Sequence, residues 1–569
     1  MAPHGTVQTT GAGNGNGVAV KLEPFNGWMN DQGFDGSIEQ HTPIELSVTG
    51  NIPTYAAGTL YRTGPGGYKL KTNNGTELAM SHWFDGFSKV HRFKLQPNDD
   101  SSNTRVFYNS RSICDDHLEN MRKSNDFAGF SFGNKRDPCE SFFKKAQSSF
   151  KAALDDRTST RSSANIGVTV SINMPGNPTG LKSSTVDKSK AIQTLHTKTD
   201  SVIMEALDPE TLEPLGIAKQ TSLHPDLKGP LSAAHAKSDP VTGDIFNFNL
   251  NFGMQSEYKV FRVSAATGKT DILATIPDVP AYLHSMFLTA DHVILCVWNS
   301  HLAKGGASIM WHRNVLDAIS PFDESKPARW HVIDRKNGKG LLATYETPAF
   351  YSFHTVNAWT EESKTEPGKI DIICDLAAYV NLDVAKKFYY ENIKSTAPGS
   401  DAYRGERGDT SRPLYRRYRL PDVPSEPSKG AKLGTIEFTS QMAQGMELPV
   451  LNGKYITKPH RYTYGIVDRG LSTFMDGLVK FDSETKSHIY WEEQGATPGE
   501  PIFVADPNGT SEDDGVILSV VLDGNSGKSY LVCLDAKTMT EVGKAQVEGV
   551  VGFGFHGAHV TERGEANDF

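Results

Sequence analysis

A strand–turn–strand unit recurs along this chain of 569 residues. An apolar, β-rich run ends in Asp-x-x-Thr or a near copy, and a second run starts at once. The copies are Asp208-Pro-Glu-Thr211, Asp239-Pro-Val-Thr242-Gly243, Ser264-Ala-Ala-Thr267-Gly268, Asp482-Ser-Glu-Thr485 and Asp535-Ala-Lys-Thr538, with Asp334-Arg-Lys-Asn337-Gly338 a looser one. Asp opens such a turn by accepting backbone N–H bonds, and Gly takes the left-handed position that closes it. Hairpins repeated without intervening helices predict an all-β fold. Over so long a chain they point to a β-propeller rather than a sandwich.

Residues 1–40 read as a flexible polar tail, and 41–569 as a single propeller domain with cap insertions, the largest at about 115–190. Within that insertion Phe142, Ala146, Phe150 and Leu154 recur every four residues, flanked by Lys144, Lys145 and Lys151. This spacing predicts a helix over 142–154, packed as a lid by its apolar stripe or lying as a basic amphipathic helix on a membrane surface. The net charge of −9 is spread without a basic stripe, which excludes nucleic acid as a natural partner. Five isolated cysteines suit a reducing cytosol rather than a secreted disulfide framework. No apolar run approaches the ~18 residues of a membrane span. The expectation is a cytoplasmic protein, at most peripheral to membranes or lipid droplets.

Chemistry concentrates on four of the eighteen histidines. His235 in LSAAHAKSDP, His284 in AYLHSMFLTA, His354 in FYSFHTVNAW and His556 in GFGFHGA all have apolar surroundings. Neutral imidazole suits divalent transition metals. No local spacing pairs two of them on one helix turn, so tertiary structure must assemble any site, and a propeller axis offers the geometry. Taken singly, each is more often a satisfied core residue than a ligand. Three glutamates flanked by strand-like apolar residues strengthen the case: Glu205 in SVIMEALDP, Glu447 in GMELPVL and Glu500 in PGEPIFVAD. Buried acids need partners, and a metal-bound imidazole needs an acceptor for its other N–H.

With these residues in place the chain resembles the carotenoid cleavage oxygenases. GTLYRTGPG, HWFDGFSKVHRF, the LDPETLEPLG turn, GEPIFVAD, EDDGVILSVV and the closing GFHG carry the resemblance from about Ile44 onward. It implies a seven-bladed propeller with a helical cap over a lipophilic tunnel. It implies Fe2+ held by His235, His284, His354 and His556, with Glu205, Glu447 and Glu500 as acceptors for three of them and His235 lacking a carboxylate. Phe353, Phe553 and Phe555 would line the substrate tunnel. Asn165-Ile166-Gly167 is the best match to a family Asn-Thr-Asn, which makes Ile166 the apolar plug near the iron. The implied reaction uses O2 to cleave a C=C bond of a lipophilic polyene, a carotenoid or apocarotenoid such as torulene, without an added acid–base residue. Stilbene cleavage, retinoid-ester isomerisation and a non-catalytic binding platform remain open alternatives. Ser162 and Ser163 stand where stilbene-cleaving relatives place a lysine, which counts against a phenolic substrate.

Overall fold

The computed structural model describes residues 25–567, apart from 26–27, 37, 99–102, 128, 137–161, 179–189, 254, 442–443, 563 and 565. The expected helix over 142–154 lies outside the described residues.

The predicted turns form as read. Asp208 Oδ1 accepts from the N–H groups of Glu210 and Thr211 at 2.9 and 2.7 Å, and Asp535 Oδ1 from those of Lys537 and Thr538 at 3.1 and 2.8 Å. Gly243 and Gly268 take the closing left-handed position at φ 72° and 68°. Leu212, Lys486 and Met539 hold the same position at φ 63°, 61° and 58°, each at a cost of roughly 1–2 kcal/mol that the surrounding ladder must offset.

Five antiparallel meanders span 169–219, 237–277, 287–347, 351–439 and 447–491, and such turns close hairpins in all of them but 351–439. The third gains Ala431–Leu433 as a parallel edge strand. First strands of successive sheets pack together: Phe287–Leu288 lies against Tyr351–Glu362, which lies against Glu447–Val450. The architecture is an all-β propeller-like fold in which first strands gather about a common centre.

Apart from the small hairpin of Lys69–Lys71 with Glu77–Ala79, the remaining strands form one eleven-stranded sheet rather than separate blades. Ile44–Gly50 is the reason, since it pairs with Glu541–Gln546 on one side and Thr104–Ser112 on the other. Seven separate sheets of blade size are therefore not what the pairing displays among the described residues. On the far side of that sheet the C-terminal strand His556–Thr561 pairs with Gly58–Gly67, Thr63 opposite His556. The longest helix among the described residues is Asp115–Ser124. A helical cap of the expected kind is not established by these elements. Inter-sheet packing rests on large buried side chains, among them Trp298, Trp330, Tyr345 and Tyr418. Cys114, Cys296, Cys374 and Cys533 are free and buried.

Candidate metal centre

Three of the four histidines lie at or just before the first strand of their sheet, and the fourth opens a late strand of the eleven-stranded sheet. His235 precedes Lys237–Ser238, His284 precedes Phe287–Leu288, His354 lies early in Tyr351–Glu362, and His556 opens His556–Thr561. Backbone and hydroxyl bonds fix their relative heights. The His235 N–H donates to the His284 carbonyl at 3.2 Å. Ser285 Oγ donates to the Phe353 carbonyl at 2.8 Å and accepts from the Thr355 N–H at 3.1 Å, clamping His354 between its two partners. Thr169 Oγ1 ties the Ala234 carbonyl to the neighbouring sheet at 2.9 Å.

All four imidazoles are buried, and one ring nitrogen of each lies within 4.8 Å of the others. His556 Nε2 lies 2.9 Å from His235 Nε2 and 3.1 Å from His354 Nε2. Two nitrogens each about 2.1 Å from one ion and at right angles to each other lie about 3 Å apart, so these spacings fit adjacent positions around a metal. Carboxylates occupy the opposite edges of three rings. His354 Nδ1 donates to Glu447 Oε2, His556 Nδ1 to Glu500 Oε1 at 2.7 Å, and His284 Nδ1 to Asp200 at 2.8 Å. With the proton on Nδ1, the Nε2 atoms of His354 and His556 are both lone pairs. Facing each other 3.1 Å apart, they repel unless a cation sits among them. Burial first, then the neighbouring cationic forms, pushes His235 and His556 well below the ordinary imidazole range, and burial also lowers His354. Neutral, inward-facing imidazoles are the donor set of a metal centre.

Each acid is itself held. Tyr282 OH donates to Asp200 Oδ2 at 2.7 Å and the Ala234 N–H to Oδ1 at 3.0 Å. Tyr379 OH donates to Glu447 Oε1 at 2.6 Å. Glu500 Oε2 accepts from Arg62 and from the Gly557 N–H, both at 2.7 Å. Burial pushes Glu500 up to about 7, against the lowering pull of Arg62 and the Gly557 N–H.

Glu205 requires correction. It accepts the Ser162 N–H at 2.8 Å and its other oxygen has no hydrogen-bond partner among the described residues, so none of the four rings donates to it; His284 donates to Asp200 instead. The strand Ile203–Leu207 turns Glu205 toward Ser162 and the start of the Asp115–Ser124 helix. Asp200 instead sits in the preceding turn, which bridges through Ser201 to Leu231 on the segment leading to His235. In TKTDS that Asp reads as a solvated turn residue, while Glu205 has the apolar flanks of a buried acid. Arg62, Tyr282 and Tyr379 also escaped the sequence reading. A cation inside the apolar run GTLYRTG was the available signal, because a buried guanidinium implies a buried acid.

The displaced Glu205 has its own consequence. Burial pushes its carboxyl up to about 8 from an ordinary 4.5. Between those values the folded chain holds a proton that the unfolded chain has lost, so stability falls as pH rises through the window. Glu205→Gln is expected to flatten that decline, by up to roughly 5 kcal/mol. Denaturant titrations across the window check this, and an unchanged slope would contradict it.

The aromatic residues expected to line a tunnel divide. Phe353 lies 6.0 Å from the His284 ring, and Phe84 packs 5.5 Å from Phe353 and 5.4 Å from Phe555. Phe553 belongs to an adjoining group, 4.9 Å from Phe34 and 5.3 Å from Phe474. Trp83 joins the two groups, 4.8 Å from Phe555 and 5.0 Å from Phe474. Ile166 is fully buried, and the adjoining Gly167 packs against Ser88 and Thr63, the latter paired with His556.

Comparison with known proteins agrees with this geometry. The sequence profile of the retinal pigment epithelial membrane protein family matches residues 33–561. A carotenoid dioxygenase of Neurospora crassa is 42% identical, with 95% of this chain and 92% of that protein covered. A torulene dioxygenase of Fusarium fujikuroi is 38% identical, with 95% of each chain covered. Among solved structures, an apocarotenoid oxygenase of Synechocystis superposes with a TM-score of 0.68 at 19% identity, over 95% of this chain and 100% of its own. A buried ring of four imidazoles on a propeller-like scaffold, matched along nearly the whole sequence, places the chain in the retinal pigment epithelial membrane protein family, the carotenoid cleavage oxygenases.

Proposed function

We propose that this chain holds one Fe2+ through His235, His284, His354 and His556 and cleaves one C=C bond of a carotenoid or apocarotenoid, torulene among them, into two carbonyl products. The observation that carries the reading is the pair of opposed Nε2 lone pairs on His354 and His556, 3.1 Å apart, beside a ring of aromatic side chains. Held by those four imidazoles, a ferrous ion would supply the activation of dioxygen that alkene cleavage requires. The protein's own contribution is placement. Asp200, Glu447 and Glu500 fix the tautomer and tilt of three rings, and Tyr282, Tyr379 and Arg62 fix the acids. Phe353, Phe84 and Phe555 offer flat apolar faces for a polyene and keep water away from the reacting bond, with Ile166 filling space nearby. No side-chain acid or base is needed, since both atoms of O2 end in the two carbonyls.

Ser162 favours a carotenoid over a stilbene. Its N–H is committed to Glu205 and its hydroxyl accepts from the Asp116 N–H at 3.2 Å, so it brings no cation to a phenol. Purified iron-loaded protein should cleave a carotenoid or apocarotenoid at one defined bond under ¹⁸O₂ and label both products. Efficient resveratrol cleavage with every carotenoid inert would overturn the substrate and leave the iron site standing.

On architecture, our reading treats 41–569 as one domain and the eleven-stranded sheet as two blades joined through Ile44–Gly50, which with the five meanders makes seven. No helix among the described residues is long and apolar enough to cross a membrane. A polyene is nearly insoluble in water, so the protein must collect it from a bilayer or droplet, in our reading from the cytoplasmic side. The 142–154 stretch, with its lysine-flanked apolar stripe, would make that contact, aided by Phe130, Met310 and Trp311, which are exposed beside the Ser131–Asn314 bridge. Phe143→Glu with Phe150→Glu should weaken liposome binding and turnover of membrane-loaded substrate, while sparing detergent-solubilised substrate. An equal fall in both assays would make the stretch merely structural.

A further inference from the structure

The three acids around the rings are not held alike. Asp200 and Glu447 each receive a phenol, from Tyr282 and Tyr379, which is neutral. Glu500 receives a guanidinium. Arg62 is itself buried, 3% exposed, in a strand where it stands opposite Gly557, the residue after His556. Its seat is cut from glycines. A Cβ on Gly557 would lie 2.6 Å from Arg62 Cδ, and one on Gly499 would lie 3.0 Å from the guanidinium. Side chains are thus excluded on both sides, and the cation is pressed against the acid that orients His556. Lys237 also acts on the rings through space, but from a half-buried position where solvent screens its charge.

Charge then decides what ion the centre favours. With a cation bound among the rings, Asp200, Glu447 and Glu500 all stand ionised and bring three negative charges to a buried site with neutral rings. Arg62 and a divalent ion cancel them, whereas a trivalent ion leaves one uncompensated positive charge in a low-dielectric interior. We propose that Arg62, through Glu500, sets the charge balance of the centre so that the ferrous state is favoured over the ferric one, making Arg62 a positioning residue that tunes the resting oxidation state. This rests on the iron reading above. The event is a one-electron loss from Fe2+ to an external oxidant such as ferricyanide, and the protein's role is to make that loss unfavourable.

The test is a mediated redox titration of iron-loaded full-length protein, following the ferric signal by electron paramagnetic resonance. Arg62→Met removes a positive charge and should raise the ferric-to-ferrous ratio at fixed poise about tenfold, a fall of about 59 mV in potential. Glu500→Gln removes a negative charge and should shift the ratio as far the other way. The double variant should return close to the wild-type value, and Arg62→Lys, which keeps the charge, should stay near it. A packing role alone gives no such opposition of sign. Shifts in the same direction, or none, overturn the inference. Should Arg62→Met fail to fold because Glu500 is left buried and unpaired, the direction for Glu500→Gln decides. Wild-type protein without stoichiometric iron overturns the iron reading itself, whereas iron present with unmoved potentials overturns only the part assigned to Arg62.

Discussion

His354→Ala or His284→Ala is expected to abolish both bound iron and double-bond cleavage while leaving the protein folded. Each imidazole supplies one of the four inward nitrogens, which lie within 4.8 Å of one another. Losing one leaves three neutral donors and a water-sized gap. The sheets themselves do not depend on these rings: His354 sits in a twelve-residue strand whose ladder to Ile370–Tyr379 persists without the side chain. Circular dichroism should therefore be unchanged, while elemental analysis reads no iron and product formation falls to background. Stoichiometric iron retained in His284→Ala would remove that residue from the ligand set.

Asp200→Ala should weaken metal binding by about 10–100-fold, the usual loss when a ligand's outer partner is removed. It frees the His284 ring to rotate and leaves Tyr282, buried and raised well above the ordinary phenol range, without its acceptor. Asp200→Asn and Glu447→Gln should be milder, because an amide oxygen still accepts the Nδ1–H bond. Glu205→Gln should leave metal affinity untouched. Chelator competition on the four proteins measures the ordering. If Glu205→Gln matched Asp200→Ala, the geometry around Ser162 would be wrong.

These two predictions mark how far the sequence could be read. The strands and turns were legible because each Asp-x-x-Thr unit closes on its own local bonds, as at Asp208 and Asp535. The four histidines were legible because apolar neighbours on both sides leave a polar ring no exit to water. Asp200 was not, because its burial comes from the distant Tyr282 and Ala234 rather than from TKTDS itself. Glu205 misled for the converse reason: its flanks correctly foretold burial but not which partner the strand would turn it toward. The fusion of strands into one eleven-stranded sheet was not legible, because Ile44–Gly50 joins two neighbours by long-range pairings with no local signature.

Closure of the ring by both chain ends gives the metal centre a timetable. His556 reaches the other three rings only when its strand pairs with Gly58–Gly67, across nearly the full length of the chain. Together with the equally distant pairing of Ile44–Gly50 and Glu541–Gln546, that pairing carries the largest loop-closure entropy in the fold and belongs among its slowest events. A chain halted before His556 has three imidazoles and an unsealed sheet edge. Ion capture then acts as a clasp, since a ligand that binds only the closed ring favours closure by mass action. On the iron reading proposed above, metal occupancy certifies that the strand carrying His556 has been made and seated.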